Sequence, residues 1–208
     1  LYQMGGSKIN KTIITPTLNS GLVGWWTFDG ADTFAGSIAD KSGNNNTGTR
    51  TSVTMKAGKL GQGVRFPLTP SKVNVPGVTD LTGLTSLTLS AWVKPSSDLS
   101  DNQRIFQLGG SSDIALLTAA TTGVNQFYLS TIAASSSAPA VSANKWHHLV
   151  VTWTQGITNN VKYYTDGYLV RTTNHYVQTI PDSGNLVLGN LASNNDQYRG
   201  TMDALVLR

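Results

Sequence analysis

Leu87, Leu89, Ala91 and Val93 alternate with Thr88, Ser90, Trp92 and Lys94. A two-residue period sends successive side chains to opposite faces, so this stretch fits a half-buried strand and not a helix. Further short strand-like runs follow one another at 22–28, 63–66, 72–76, 104–108, 126–131, 146–154, 162–171, 185–189 and 201–207, separated by turn clusters. No segment longer than two turns carries a helical period. Asp166-Gly167, between two of these runs, fits a two-residue type I′ turn, whose positive φ angles Asp and Gly tolerate. Many short strands with turns at this spacing predict an all-β antiparallel sandwich or barrel. At 208 residues, one such domain accounts for the chain. Leu22, Trp26, Phe66, Leu89, Ala91, Leu149, Val151, Leu186, Leu188 and Leu205 are the expected core, with the first and last strands close in space.

The surface chemistry is polar but sparsely charged. Charged residues make up 12% of the chain, against about 25% in a typical globular protein. Ser, Thr, Asn and Gly take their place, which fits an extracellular or cell-surface β-protein. The net charge of +4 comes from a scarcity of acids. Lys and Arg are scattered singly, without the basic run or Arg–aromatic stripe of a nucleic-acid binder. No Cys is present, so no disulfide framework is available. No apolar run approaches the ~18–20 residues of a membrane span.

The order of motifs from residue 21 onward carries a resemblance. Gly21-Leu-Val-Gly-Trp-Trp-Thr-Phe-Asp29 is followed by Ala39-Asp-Lys-Ser-Gly-Asn-Asn-Asn-Thr-Gly48 and Gly58-Lys-Leu-Gly-Gln-Gly-Val-Arg-Phe66. Then come Leu87-Thr-Leu-Ser-Ala-Trp-Val-Lys94, Lys145-Trp-His-His-Leu-Val-Val-Thr-Trp153, Tyr163-Tyr-Thr-Asp-Gly-Tyr-Leu-Val170, Asn185-Leu-Val-Leu-Gly189 and Gly200-Thr-Met-Asp-Ala-Leu-Val-Leu207. In this order they resemble the laminin-G-like, concanavalin-A-like lectin/glucanase superfamily, in its bacterial surface-protein branch. The resemblance implies a two-sheet antiparallel jelly-roll sandwich over 21–208. Two departures stand out. Pro67-Leu-Thr-Pro70 replaces the family's acidic turn, and Ala204 replaces the acid that usually follows the last strand's Asp203.

Residues 1–20 precede the motifs and read as a linker or a docking strand. Ile13 and Ile14, flanked by Thr12 and Thr15, are its candidate assembly residues, because β-branched residues favour strands.

The candidate chemistry is mostly non-catalytic. The sequence contains no Glu, and no Asp-x-Asp pair that would place two acids on one strand face. Glycoside hydrolysis ordinarily needs two carboxyl groups flanking the bond. His147 and His148 are strand neighbours that point to opposite faces, so at most one of them faces any cleft as a lyase base. The resemblance implies a structural Ca²⁺ joining the first and last strands, with Asp29, Asp203 and Asn44 as ligands and the loop 42–46 adding oxygens. The competing reading of Asp29 and Asn44 is as ordinary turn formers. One of Trp25 and Trp26 must face away from the core. Tyr128, Tyr176 and Tyr198 are the candidate ligand contacts, and the loops 95–103, 133–144 and 190–198 would present them. The expected function is non-catalytic recognition of a glycan or a surface protein. The alternative is a filament or surface-layer subunit that self-associates through residues 1–20. A polysaccharide-active enzyme is the remote third reading.

Overall fold

A computed structural model describes residues 20–67, 70–78, 81, 83–98, 100–109, 114–129, 132–133, 138–156, 158–174, 184–190 and 196–208. Seventeen strands form two sheets. The eight-stranded sheet contains β1 (Gly24–Trp26), β5 (Thr54–Ala57), β6 (Gln62–Phe66), β8 (Ser86–Pro95), β13 (His147–Thr154), β14 (Val161–Thr165), β15 (Tyr168–Thr173) and β17 (Gly200–Leu207). Its order is β15-β14-β13-β8-β17-β6-β5, with β1 also paired to β17. The nine-stranded sheet contains β2 (Thr33–Phe34), β3 (Ser37–Ile38), β4 (Gly48–Thr51), β7 (Lys72–Val75), β9 (Gln103–Leu108), β10 (Ile114–Thr118), β11 (Asn125–Leu129), β12 (Ile132–Ala133) and β16 (Leu186–Leu188). Its order is β12-β11-β10-β9-β16-β7-β4-β3-β2. Among the described residues the only helical segment is a 3-10 turn at Gly30–Asp32.

The sandwich follows from the alternation. On β8, Leu87, Leu89, Ala91, Val93 and Pro95 are buried, and the residues between them face outward. On β13, Leu149, Val151 and Trp153 repeat the pattern. These side chains meet Val73, Val75, Phe106, Leu108, Leu186 and Leu188 of the opposite sheet in one hydrophobic core. All ten residues expected in the core are buried there.

The β14–β15 turn forms as its sequence requires, with φ of 53° at Asp166 and 86° at Gly167. The first and last strands pair with Gly24 opposite Leu207 and Trp26 opposite Leu205. Trp26 is fully buried, whereas Trp25 faces outward and is 38% exposed. The expected strand at 22–28 is shorter than its apolar run, because Phe28 turns the chain at φ 61°.

Candidate functional site

The outer face of the eight-stranded sheet carries most of the chain's candidate chemistry. Strand register decides which residues meet on it. Thr54 of β5 pairs with Arg65, Arg65 with Thr201, and Thr201 with Lys94, which makes one row across four strands. Two residues along the same strands, Lys56 pairs with Gly63, and Asp203, Trp92 and His148 form a second row. Beside the first row lies an open cleft of about 420 Å³. Lys56, Arg65, Lys94, Thr201, Ser96 and Asn144 supply its polar lining. No carboxylate of the described residues lines it.

The second row adds an aromatic element. The Trp92 and His148 rings lie with centroids 4.9 Å apart, and Lys59 Nζ sits 4.8 Å from the Trp92 ring. A cation over an indole face is attracted by the ring quadrupole. His148 Nε2 shares a 2.8 Å hydrogen bond with Ser90 Oγ. Burial pushes the His148 pKa below its usual value, against the opposing pull of Asp166.

Asp166, in the β14–β15 turn, organises the neighbouring corner. Its Oδ1 accepts from the His148 N–H at 2.8 Å, and its Oδ2 meets His147 Nδ1 at 2.8 Å. Partial burial alone would raise its pKa; the His148 N–H and the His147 ring hold it below the usual carboxylate value. Ser142 Oγ lies 2.9 Å from His147 Nε2, so Ser142, His147 and Asp166 stand in the order of a nucleophilic triad. The backbone N–H groups of Asn144 and His148 are already engaged, by the Pro95 carbonyl and by Asp166. An acyl-transfer site needs donors aimed at a developing oxyanion. The two histidines do project from opposite faces of β13, as adjacent strand residues must.

Two of the expected Ca²⁺ ligands come together. Asp203, on β17, has no exposed surface. Its Oδ2 accepts from the N–H groups of Lys59 at 2.7 Å and Leu60 at 2.8 Å. Its Oδ1 is buried without a hydrogen-bond partner. Gly58 makes this approach possible, since a Cβ there would lie 2.5 Å from Asp203 Oδ2. Burial raises the Asp203 pKa, and the nearby charge of Asp29 raises it further. Asp29 Oδ1 accepts from the Gln62 N–H at 2.8 Å. Two mutually repelling carboxylates, one with an unpartnered buried oxygen, fit the donor chemistry of Ca²⁺. Among the described residues no three His, Cys, Asp or Glu side chains gather around one point. Backbone carbonyls and water would therefore complete the shell.

Asn44 has a different engagement. Its Nδ2 donates to the carbonyls of Leu22 at 2.6 Å and Val23 at 3.0 Å. The rest of the 42–46 loop is folded around the Asp40 carboxylate, which accepts from the N–H groups of Trp25, Ser42 and Asn46. This locks the loop onto β1.

Of the three candidate tyrosines, the described residues place two. Tyr198, expected on a loop, is fully buried. Its ring meets Phe66 edge-on at 5.8 Å, and burial drives its pKa far upward. It is a core residue, so its hydroxyl is out of a ligand's reach. Tyr128 lies on β11 rather than in a loop, half-buried, and its hydroxyl donates to Gln126 Oε1 at 3.0 Å. Tyr176 and the Ile13–Ile14 pair lie outside the described residues. The sequence reading missed Lys56, Arg65, Lys94 and Trp92 as a group. The available signal was the outward phase of β8, which places Trp92 and Lys94 on one face.

The comparisons agree with this fold. Residues 69–207 match a family described as the concanavalin A-like lectin/glucanases superfamily. None of the curated proteins compared matches the sequence. Domain 4 of an extracellular arabinanase from Geobacillus stearothermophilus, in complex with arabinotriose, superposes with a TM-score of 0.67 at 19% identity, over 89% of this chain and 91% of that one. Trypanosoma rangeli sialidase gives 0.67 at 18% identity, over 90% of this chain and 30% of the sialidase. The binding domain of botulinum neurotoxin serotype D/C gives 0.66 at 13% identity, over 91% and 49%. At these identities the likeness is one of fold.

Proposed function

The chain belongs to the concanavalin A-like lectin/glucanase superfamily, and from that premise we propose that it is a non-catalytic, extracellular recognition module that binds a glycan on the outer face of its eight-stranded sheet. The observation that carries this reading is the open cleft, lined by hydrogen-bonding side chains and, among the described residues, by no carboxylate. Sugar hydroxyls pair with such side chains, which the strands and the adjoining segments at Ser96 and Asn144 hold in place. The arabinanase domain in complex with arabinotriose supports the reading, as does the toxin binding domain. The exposed Trp25 ring and the Trp92–His148 pair supply apolar surface on the same sheet. No helix among the described residues is long and apolar enough to cross a membrane.

A glycan array probed with the whole chain, with hits measured by calorimetry, is expected to give specific binding that Thr201→Ala and Asn144→Ala weaken. Incubation of the same glycans should release neither reducing ends nor unsaturated products. Reproducible product release that disappears in Asp29→Asn or His148→Ala would replace the binding reading with an enzymatic one.

In the same reading, Asp29 and Asp203 hold a structural Ca²⁺ that ties the end of β1 to β17. The cation would neutralise two carboxylates whose repulsion the fold otherwise carries. Asp203 has a raised folded pKa, so its contribution to stability is present below the unfolded carboxylate value and is lost as pH rises through the folded value. In chelator at neutral pH this penalty is in force. Saturating Ca²⁺ is expected to raise the melting temperature, with about 2.7 kcal/mol of stabilisation at 100 times the Kd. Asp203→Asn should melt at the same temperature with Ca²⁺ or chelator, and above the wild type in chelator at pH 7. Equal Ca²⁺ responses from the variant and the wild type would remove these two residues from the site.

A further inference from the structure

We infer that the cleft beside β5, β6, β17 and β8 selects acidic glycans, those bearing carboxylate or sulfate groups, through Lys56, Arg65 and Lys94. The inference rests on the glycan-binding reading and specifies its substrate class.

Three cations of the described surface outside the cleft have acidic partners. Lys41 pairs with Asp32 at 3.1 Å, Arg104 with Asp196 at 2.9 Å, and Arg199 with Asp98 at 3.0 Å and Asp101 at 2.9 Å. Asp166 is held by His147 and His148, Asp40 by the 42–46 loop, and Asp203 lies buried under Lys59 and Leu60. Lys56, Arg65 and Lys94 form no ion pair with any described residue. All three line the same cleft, with no carboxylate of the described residues on its walls. Like charges gathered on one face of a sheet repel one another. An anionic ligand would relieve that repulsion.

The geometry suits a sugar better than a bare anion. The cations come from three strands, β5, β6 and β8, and Thr201 of β17 stands between Arg65 and Lys94 in the same row. Its hydroxyl, with Ser96 and Asn144, supplies neutral hydrogen-bonding groups within the charged frame. A volume of about 420 Å³ is in the range of small-ligand pockets and admits one or two sugar rings. Arg65 offers a planar fork that matches the two oxygens of a carboxylate or sulfate, whereas the lysines act as point charges. A nucleic acid fits less well, because the cations are confined to one short cleft instead of tracking a backbone.

The test is calorimetric titration of the whole chain with three oligosaccharides of similar length: a sulfated heparin fragment, an oligogalacturonate and a neutral arabino-oligosaccharide. Each is run at low salt and at 500 mM NaCl, with single-stranded DNA of equal charge as a polyanion control. We expect a charged oligosaccharide to bind at least about tenfold more tightly than the neutral one, and this margin to shrink at high salt as screening rises. The heparin and galacturonate arms identify which anion is preferred. Lys56→Ala, Arg65→Ala and Lys94→Ala should each weaken binding about tenfold, the loss of one charge-assisted hydrogen bond. Arg65→Lys should retain more affinity than Arg65→Ala. Lys162→Ala, on a strand away from the cleft, should leave binding unchanged. Circular dichroism of each variant confirms that the fold persists. Neutral oligosaccharide binding equal to or stronger than acidic binding would overturn the inference while leaving the glycan reading intact. Absence of binding to all three would overturn both. DNA binding as tight as that of the charged sugars, or equal losses from Lys162→Ala and the cleft variants, would reduce the cleft to a nonspecific polyanion patch and end the proposal.

Discussion

Replacing Trp26 by alanine is expected to destabilise the protein by about 3–5 kcal/mol, a large part of the ~5–15 kcal/mol that holds an ordinary domain folded. The indole is fully buried in the core between the sheets. It also lies against Gly24, where a Cβ would fall 2.1 Å from its Cη2. Its Nε1–H donates to the Asn46 carbonyl at 2.9 Å, while Asn46 Nδ2 donates back to the Val23 carbonyl at 2.9 Å. Truncation therefore opens a cavity and leaves the Asn46 carbonyl without its indole donor, while Asp40 and Asn44 still hold the loop to β1. Trp26→Phe separates the two effects. It keeps most of the apolar volume and deletes the donor, leaving the Asn46 carbonyl unpaired, for a smaller loss of about 1–3 kcal/mol. Urea denaturation of both variants measures the difference. Equal midpoints for the two variants would show that packing contributes little at this site.

Gly189→Ala is the second change with a large expected cost. Gly189 ends β16 with φ at 78°, where an L-residue is strained by roughly 1–2 kcal/mol. A Cβ there would also lie 2.1 Å from Phe66 Cε1, inside the ring's contact surface. Phe66 has little room to withdraw, because it is buried and meets Tyr198 edge-on. Overpacking of this kind adds about 1–3 kcal/mol. Phe66→Leu should recover part of the loss when combined with Gly189→Ala, because the two sites share one contact. Strictly additive losses in the double variant would assign the whole penalty to backbone strain.

The sequence was most legible where burial is one-sided. The alternation at 87–93 is the imprint of a strand with one face in the core and one in solvent, and β8 follows it residue for residue. The Asp166-Gly167 turn was legible because few other pairs accept two positive φ angles. Strands with most of their side chains in solvent were not. β4 reads Gly-Thr-Arg-Thr and β5 Thr-Met-Lys-Ala, and most of their side chains reach solvent. Little buried face exists there to impose a period on the sequence. β10 was missed for the opposite reason: Ile114, Ala115 and Leu116 form a continuous buried run without alternation.

The site was legible only in pieces. Asp29 and Asp203 were found through motif positions, and the chain does bring them together. Tyr198 was misplaced because an Asn-rich neighbourhood reads as surface. Phe66, far away in sequence, is what encloses it. The cleft could not be read at all in one dimension. Lys56, Arg65 and Lys94 become neighbours only once β17, the last strand, inserts between β6 and β8. A register that places Thr201 beside both Arg65 and Lys94 is a property of the assembled sheet.

The pairing of Gly24 with Leu207 has a mechanical consequence. A load applied to the backbone just before Gly24 and just after Leu207 acts on two points that already lie side by side on antiparallel strands. Tension at such points peels the pair open from that end, and the hydrogen bonds of the β1–β17 ribbon are loaded one after another rather than all at once. Pulled in this direction, the ribbon would yield at low force while the β8–β13 ladder behind it stayed closed. The cleft, built on the far end of β17 around Thr201, lies beyond the strand that peels first.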